Sequence, residues 1–89
     1  MKTCACDLVV GNRRGVHSRV ATRLAGIAAE FGVVLSISRA DETVDCSSIL
    51  DVLALALVEG TNLTLRADGD RAEGALQAAL VLLTSQDDS

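Results

Sequence analysis

The residues best suited to chemistry lie within residues 12–26, NRRGVHSRVATRLAG, which contain the only histidine of the chain, His17. Half of the eight lysine and arginine residues also fall in this stretch, although the whole chain carries a formal net charge of -4. These four are Arg13, Arg14, Arg19 and Arg23. Imidazole is uncharged over much of the physiological pH range, so one of its ring nitrogens can act as a nucleophile. The stretch therefore predicts a nucleophilic histidine in basic surroundings.

His17 also stands directly before a predicted helix, whose pattern begins at Ser18. The unpaired backbone N–H groups at the N-terminus of a helix favour anions. Gly15 permits a close approach of the backbone to a ligand, or a positive φ angle. Arg19 can bind phosphate oxygens through its planar guanidinium, whereas the other three arginines are better explained as a solvated face. We therefore expect phosphoryl transfer at His17, with a structural or idle histidine as the alternative.

The rest of the chain lacks the parts of a complete phosphoryl-transfer enzyme. The sequence has no glycine-rich loop of the type that holds a nucleotide and no serine, histidine and acid at a recognisable spacing. A residue that can be phosphorylated without a substrate pocket of its own is typical of a carrier. We expect such a carrier to be charged by one protein and discharged by another, rather than to turn over alone.

The composition is that of one small domain with an aliphatic core. Of the 89 residues 49% are apolar, but only one is aromatic. The negative net charge argues against a nucleic-acid binder. The N-terminus lacks a signal-peptide pattern, and the longest apolar run, VLALALV, is too short to span a bilayer. We therefore expect a cytoplasmic monomer that neither binds nucleic acid nor enters a membrane.

The three cysteines cannot all pair within one chain. Cys4 and Cys6 are two residues apart on a strand-like segment, which makes them poor partners for a disulfide. A metal site at these two residues would need a second pair of ligands, and none is nearby in the sequence. Small core cysteines are the better interpretation, and we expect neither a metal nor another cofactor.

Hydrophobic periodicity predicts strands and helices in the order β-α-β-β-α-β-α. Residues 2–10 alternate as a half-buried strand, residues 33–38 and 43–46 form a hairpin, and residues 61–67 form the last strand. The first helix begins at Ser18 and ends at Gly32, and its apolar stripe is Val20, Leu24, Ile27 and Phe31. The second helix begins at Ser48, where Ser48 and Asp51 are spaced as a capping box, and ends near Gly60.

The third helix is preceded by a further capping signature, Asp70 and Glu73. Its stripe consists of Ala72, Leu76, Ala79, Leu80 and Leu83. These elements predict an α+β fold, a two-layer open-faced β-sandwich in which three helices cover one face of a four-stranded, mostly antiparallel sheet. We expect a single domain over residues 1–85 and a disordered tail at residues 86–89.

The segment GVHSRVA, followed by an amphipathic helix, resembles the active-site segment of the histidine-containing phosphocarrier (HPr) family of the bacterial phosphoenolpyruvate:sugar phosphotransferase system. The family pattern there is G-[LIM]-H-x-R-P-A. The resemblance extends over nearly the whole chain, because SSILDVLALAL and GTNLTLRADGDRAEGALQAAL are similar to the later family segments and the spacing from His17 to Ser48 matches.

The resemblance implies that His17 accepts a phosphoryl group on Nδ1 from phosphorylated enzyme I and passes it to an enzyme II A component. It implies that Arg19 contacts the phosphoryl group. Ser48 matches a serine that a kinase phosphorylates in many members, which makes it a candidate regulatory site and a serine kinase a candidate partner. Docking to partners is expected at Val20, Ile49, Leu50 and Leu53. Which sugar or pathway is served does not follow from the sequence.

The residues themselves also favour a docking surface on the second helix, since residues 49–58 contain one polar residue, Asp51. We expect some of Ile49, Leu50, Leu53 and Leu57 to be exposed, the alternative being a deeply buried helix.

The chain departs from the family pattern at several positions. Val20 replaces a proline, Ser47 replaces a basic residue, and Asp51 and Ala56 lie at or near positions where glycine is common. Asp51 would repel a phosphate on Ser48, which leaves helix capping as the other role of that serine.

Two other functions remain open. The first is a regulatory protein of the same family that acts through Ile49, Leu50 and Ser48. The second is a binding domain in which the histidine is idle.

Overall fold

The computed structural model describes residues 2–86, and the predicted tail at residues 86–89 lies outside this range except for Gln86. The elements follow the predicted order. They are β1 (Thr3–Val9), α1 (Ser18–Phe31), β2 (Val34–Arg39), β3 (Glu42–Asp45), α2 (Ile49–Ala54), β4 (Asn62–Asp68) and α3 (Ala72–Thr84).

The four strands form one sheet in the order β1-β4-β2-β3, and every neighbouring pair is antiparallel. Strand β4 pairs with β1 on one side and with β2 on the other, so that Leu65 lies opposite both Cys6 and Ile37. Strands β1 and β3 are the two edges. The predicted α+β fold, an open sheet with helices on one face, is confirmed.

The core lies between the sheet and the helices and is almost entirely aliphatic. Alternate residues of each strand face it, because side chains along a strand point to opposite faces of the sheet. The first helix buries Val20 and Leu24 of its predicted stripe, whereas Ile27 and Phe31 are half-buried. It ends at Gly32, whose φ of 63° gives a left-handed C-cap. The buried strand residues are Leu8, Leu35, Ile37, Leu63, Leu65 and Ala67.

The second helix is shorter than the sequence predicts, and it ends at Ala54 rather than near Gly60. Leu55 and Leu57 are each only 2% exposed, and Ala56 between them adopts a positive φ of 52°. Burial of both leucines requires the chain to leave the helix, since a continued helix would place these residues on different faces. The guanidinium of Arg39 donates to the Leu55 carbonyl and so gives a hydrogen-bond partner to a carbonyl group at this early helix end.

Both predicted capping boxes are wrong in their side-chain contacts. Ser48 is the N-cap residue of α2, but its side chain makes no capping hydrogen bond. Arg71 rather than Asp70 is the N-cap residue of α3, again without a side-chain bond. A capping pattern records only spacing, whereas the bond also requires a particular backbone and side-chain geometry. Among residues 2–86 no helix is both long and apolar enough to cross a bilayer.

Candidate functional site

His17 is the N-cap residue of α1, with extended backbone angles of φ -89° and ψ -177°. Its Nδ1 atom accepts the backbone N–H of Arg19 at 3.3 Å, and its carbonyl accepts the N–H of Ala21 at 2.9 Å. An imidazole nitrogen that accepts a hydrogen bond carries its lone pair and no proton. The other ring nitrogen, Nε2, is covered by protein. The ring therefore presents Nδ1, rather than Nε2, at the start of the helix.

The loop before His17 is held against the segment that follows α2. Gly15 has a positive φ of 71°, and a Cβ atom at this position would lie 2.5 Å from the carbonyl oxygen of Leu57. The next residue, Val16, donates its N–H to that same oxygen at 2.8 Å. Glycine is required here both for the backbone conformation and for the close approach. These contacts fix the position of His17 relative to the end of α2.

Asn12 anchors the other end of the loop, and sequence reasoning did not identify it. It is the only buried polar or charged residue among residues 2–86. Its Nδ2 atom donates to the carbonyls of Leu82 and Ser85, at 3.0 and 2.9 Å. These bonds satisfy carbonyl groups at the C-terminus of α3. An asparagine before two arginines is read from sequence as a turn residue, so the pattern gives no sign of this long-range role.

The arginines of the loop and of α1 lie on the surface around His17. Arg13, Arg14, Arg19 and Arg23 are all exposed. Arg19 is the residue whose backbone N–H binds the imidazole, so its side chain emerges from the first turn of the same helix. The site thus combines a helix N-terminus with positive side chains, an arrangement suited to a dianionic phosphoryl group.

A group of apolar side chains lies on α2 and the segment after it. Leu50 is 79% exposed and Val58 is 61% exposed, whereas Ile49 and Leu53 are half-buried. We call these four residues the α2 surface. It borders the histidine loop, because the Cα of Val58 lies 3.0 Å from the position of a Cβ on Gly15. Sequence reasoning missed Val58, since its pattern assigned this residue to a longer helix.

One residue expected to contact partners, and one of the four α2 residues of which some were expected to be exposed, are buried. Val20, predicted to contact partners, is only 1% exposed and packs in the core beside Leu24. It forms part of the buried stripe of α1, and this role excludes its side chain from any docking surface. Leu57 is buried in the same way. Both are therefore removed from the proposed interface.

Comparison with known proteins places this geometry in a family. Residues 5–85 match the family described as "PTS HPr component phosphorylation site". The chain is 33% identical over 85 residues to the phosphocarrier protein HPr of Pseudomonas aeruginosa, covering 94% of each chain. It is 32% identical over 82 residues to the phosphocarrier protein NPr of Shewanella violacea, covering 92% of this chain and 90% of the relative.

A solved structure agrees with the same assignment. The crystal structure of a phosphocarrier protein HPr from Bacillus anthracis superposes with a TM-score of 0.83 at 26% identity, over 91% of this chain and 96% of that one. The chain belongs to the HPr family of phosphocarrier proteins. As a member of this family it is a phosphocarrier of the phosphotransferase system.

Ser48, the candidate regulatory serine of this HPr-family chain, is half-buried at the start of α2. Its carbonyl accepts the N–H of Val52 at 3.1 Å, but its hydroxyl does not cap the helix. Ser47 is the more constrained of the two serines, since both its N–H and its hydroxyl donate to Oδ1 of Asp45 at 2.8 Å. Asp51 lies in the first turn, where it already supplies negative charge to the helix N-terminus.

The three cysteines of the chain are all reduced in the structure and lie away from His17 in sequence. Burial, and secondly the charge of Asp45, raise the pKa of Cys46 to about 12. Burial also raises the pKa of Cys6, with Asp7 as the second cause. Within residues 2–86 no three side chains of the metal-binding types form a group that could hold an ion.

Proposed function

We propose that His17 accepts a phosphoryl group from phosphorylated enzyme I and transfers it to a histidine on an enzyme II A component. The Nδ1 lone pair attacks phosphorus, and the P–N bond to the donor histidine breaks as the new P–N bond forms. The observation that supports this most directly is the N–H bond from Arg19 to Nδ1. It fixes the direction of the Nδ1 lone pair at the start of α1.

The start of α1 then stabilises the transferred group. Once Nδ1 is bonded to phosphorus it can no longer accept the Arg19 N–H, and the phosphoryl oxygens take over as acceptors at the same helix end. The aligned peptide dipoles favour the added negative charge. The guanidinium of Arg19, on the first turn, supplies a charged donor to these oxygens.

The α2 surface is the proposed docking site for both protein partners. It is apolar and exposed at Leu50 and Val58, and it borders the loop that holds His17. The exposed arginines around His17 add positive charge beside this apolar centre, which suits an acidic partner surface. The partners are expected to complete the reaction. We place this exchange in the cytoplasm.

The test is incubation with enzyme I and phosphoenolpyruvate, followed by intact mass measurement before and after mild acid. We expect a single acid-labile phosphate on the unmodified chain and none on the His17→Ala variant. Transfer onward is measured by adding an enzyme II A component and following the phosphate. Absence of any phosphate with several enzyme I proteins, on a chain that is folded by circular dichroism, would reject the proposed carrier function.

A second function is favoured by the state of Ser48. Its hydroxyl makes no capping bond, and the residue is half-buried two positions before the exposed Leu50, so a kinase can modify it without breaking a helix cap. The protein would then act as a regulatory partner through the α2 surface. Binding to a regulatory protein that persists in His17→Ala but is lost in Ser48→Ala would support this function. Ser47→Ala is the matched control, because Ser47 is instead held by Asp45.

A further inference from the structure

Strand β1 has one edge that no other strand among residues 2–86 occupies. It is the first strand in the sheet order, and its only neighbour is β4. It is seven residues long, has no proline, and pairs with β4 in continuous register from Thr3 to Val9. Such an edge offers its outward backbone groups to another strand, and natural proteins usually block it with a bulge, a proline or a covering element.

The hydrogen bonds that flank β1 show which residues present these outward groups. Val10 donates its N–H to Thr61 and accepts from Gly60, and the carbonyl of Lys2 accepts from Gly69. Even-numbered residues therefore bond to β4. The odd-numbered ones, from Thr3 through Ala5 to Val9, direct their N–H and C=O groups outward.

The side chains of the two half-buried cysteines lie on the helix-facing side of this edge. Cys4 and Cys6 pair with Ala67 and Leu65 of β4 and pack against the core cluster. If a second copy of β1 paired antiparallel about an axis through Ala5, Cys4 of each copy would lie opposite Cys6 of the other. This would be a pair without backbone hydrogen bonds, where Cα atoms are about 4.5 Å apart. That separation falls within the range that a disulfide spans.

The same register suits the remaining residues of the strand. It pairs residues 2–8 of one copy with residues 8–2 of the other, and it places Thr3 opposite Asp7. An axis at Asp7 would instead bring two carboxylates together, which is unfavourable. An axis at Cys6 would pair that residue with itself and leave Cys4 opposite Leu8. Only the axis at Ala5 pairs all four thiols of the two copies with one another.

Helix α3 gives independent support for a second copy at this edge. The carboxylate of Glu73 lies 3.7 Å from Nζ of Lys2, so this side of the helix overhangs β1. Leu76 and Leu80, three and seven residues further on, share that side and are only half-buried. Because α3 packs on both β1 and β4, two copies of it would lie about 10 Å apart, a normal distance for packed helices. The leucines would then cover the cysteine pairs.

We propose that β1 is a self-complementary edge through which two copies of this chain pair antiparallel about Ala5, with Cys4 of each copy facing Cys6 of the other. A low-molecular-weight disulfide such as oxidised glutathione converts this pair into a covalent dimer. One thiolate attacks the small disulfide and releases a thiol, and the facing cysteine then displaces the second thiol. Each inter-chain disulfide formed thus reduces one molecule of the oxidant to two thiols.

The register is tested with two variants that each keep a single cysteine. Both carry Cys46→Ser, and one adds Cys4→Ser whereas the other adds Cys6→Ser. One of the two is labelled with ¹⁵N, because their masses are otherwise equal. They are treated with oxidised glutathione alone and as a mixture, and covalent dimers are identified by intact mass. We expect the mixture to give at least ten times more mixed dimer than either chain gives of its own dimer. Equal yields of all three dimers would overturn the register, and the absence of any dimer would overturn the interface.

The edge is tested separately in the chain with all its cysteines. Ala5→Pro removes an outward N–H without removing a bond to β4, and it is expected to abolish the covalent dimer. Ala5→Lys brings two like charges together on the axis. We expect it to lower the yield of covalent dimer at low salt and to recover that yield at high salt. Ala5→Val keeps the N–H and is the matched control that should still dimerise. An unchanged yield of covalent dimer in both Ala5→Pro and Ala5→Lys would contradict pairing through this edge.

This inference does not depend on phosphoryl transfer. None of its residues belongs to the His17 site or to the α2 surface. Its variants are therefore expected to be phosphorylated as the unmodified chain is.

Discussion

At the scale of single residues, His17 is defined by what its two ring nitrogens contact. Nδ1 accepts a backbone N–H at the helix start, and Nε2 is covered by protein. The residue type and its basic neighbours were evident from the sequence. The choice of nitrogen was implied there only by the family resemblance, and the capping geometry supplies a physical reason for it.

Arg19 is predicted to stabilise the phosphoryl group during transfer. We expect Arg19→Ala to slow phosphorylation by enzyme I on the order of 100-fold, because a charged donor to the reacting oxygens is lost. Rapid-quench measurement of the phosphorylated fraction checks this rate. Arg23→Ala, also exposed but one turn further along α1, is the matched control and should change the rate far less. Equal losses in the two variants would indicate general electrostatic attraction instead.

Gly15 is predicted to be essential for stability. Gly15→Ala would place a Cβ 2.5 Å from the Leu57 carbonyl oxygen at a φ of 71°, so we expect a loss of about 2–3 kcal/mol in the free energy of unfolding. Urea denaturation measures this change. Gly26→Ala is the control, since that glycine lies in α1 with nothing within 4 Å of a Cβ. It should be neutral or stabilise the chain by up to about 1 kcal/mol.

At the scale of elements, the early end of α2 is what creates the proposed docking surface. The helix stops at Ala54 so that Leu55 and Leu57 enter the core, and this leaves Leu50 and Val58 exposed beside the histidine loop. The surface is thus made from one short helix and the segment that follows it.

Leu50 is predicted to contribute to partner binding and little to folding. At low enzyme I concentration we expect Leu50→Asp to lower the rate of phosphorylation by about 10-fold or more. The reason is that a charge replaces an apolar contact with the enzyme. The melting temperature should change little, because the side chain is 79% exposed. Val81→Asp is the control, since Val81 is 59% exposed on α3. A similar defect in both variants would mean that the effect is not specific to the α2 surface.

At the scale of the whole molecule, the open face of the sheet carries a polar network that connects distant parts of the chain. Asp68 of β4 accepts from the hydroxyl of Thr3 on β1 at 2.6 Å and from Arg66 at 3.0 Å. The Thr3 hydrogen bond, and then Arg66, lower the pKa of Asp68 below its ordinary value of 3.8. This carboxylate links the edge strand to the centre of the sheet.

The depressed pKa predicts the direction of a pH effect. A folded pKa below the unfolded one stabilises the fold at pH values above about 3.8, and this contribution is lost as the pH falls through the folded pKa. We therefore expect Asp68→Asn to be less stable than the unmodified chain at pH 7, and the difference to shrink as the pH falls below about 3.8. Urea denaturation across this range checks the difference.

The sequence by itself determined the element order, part of each apolar stripe and the candidate histidine. These follow from local information, because hydrophobic periods of about 3.6 and 2 residues reflect which face of each helix or strand is buried. The buried stripe of α1 and the inward residues of β4, Leu63, Leu65 and Ala67, show this directly. The residue types around His17 indicated phosphoryl chemistry because they too lie close together in the sequence.

Only the tertiary structure decided the end of α2, the anchoring role of Asn12 and the position of β1 at the sheet edge. Each depends on residues far apart in the chain. Asn12, for example, bonds to Leu82 and Ser85 at the end of α3. A local pattern records a preference for a helix or for burial, but competition between helix extension and core packing is resolved only when all elements have assembled.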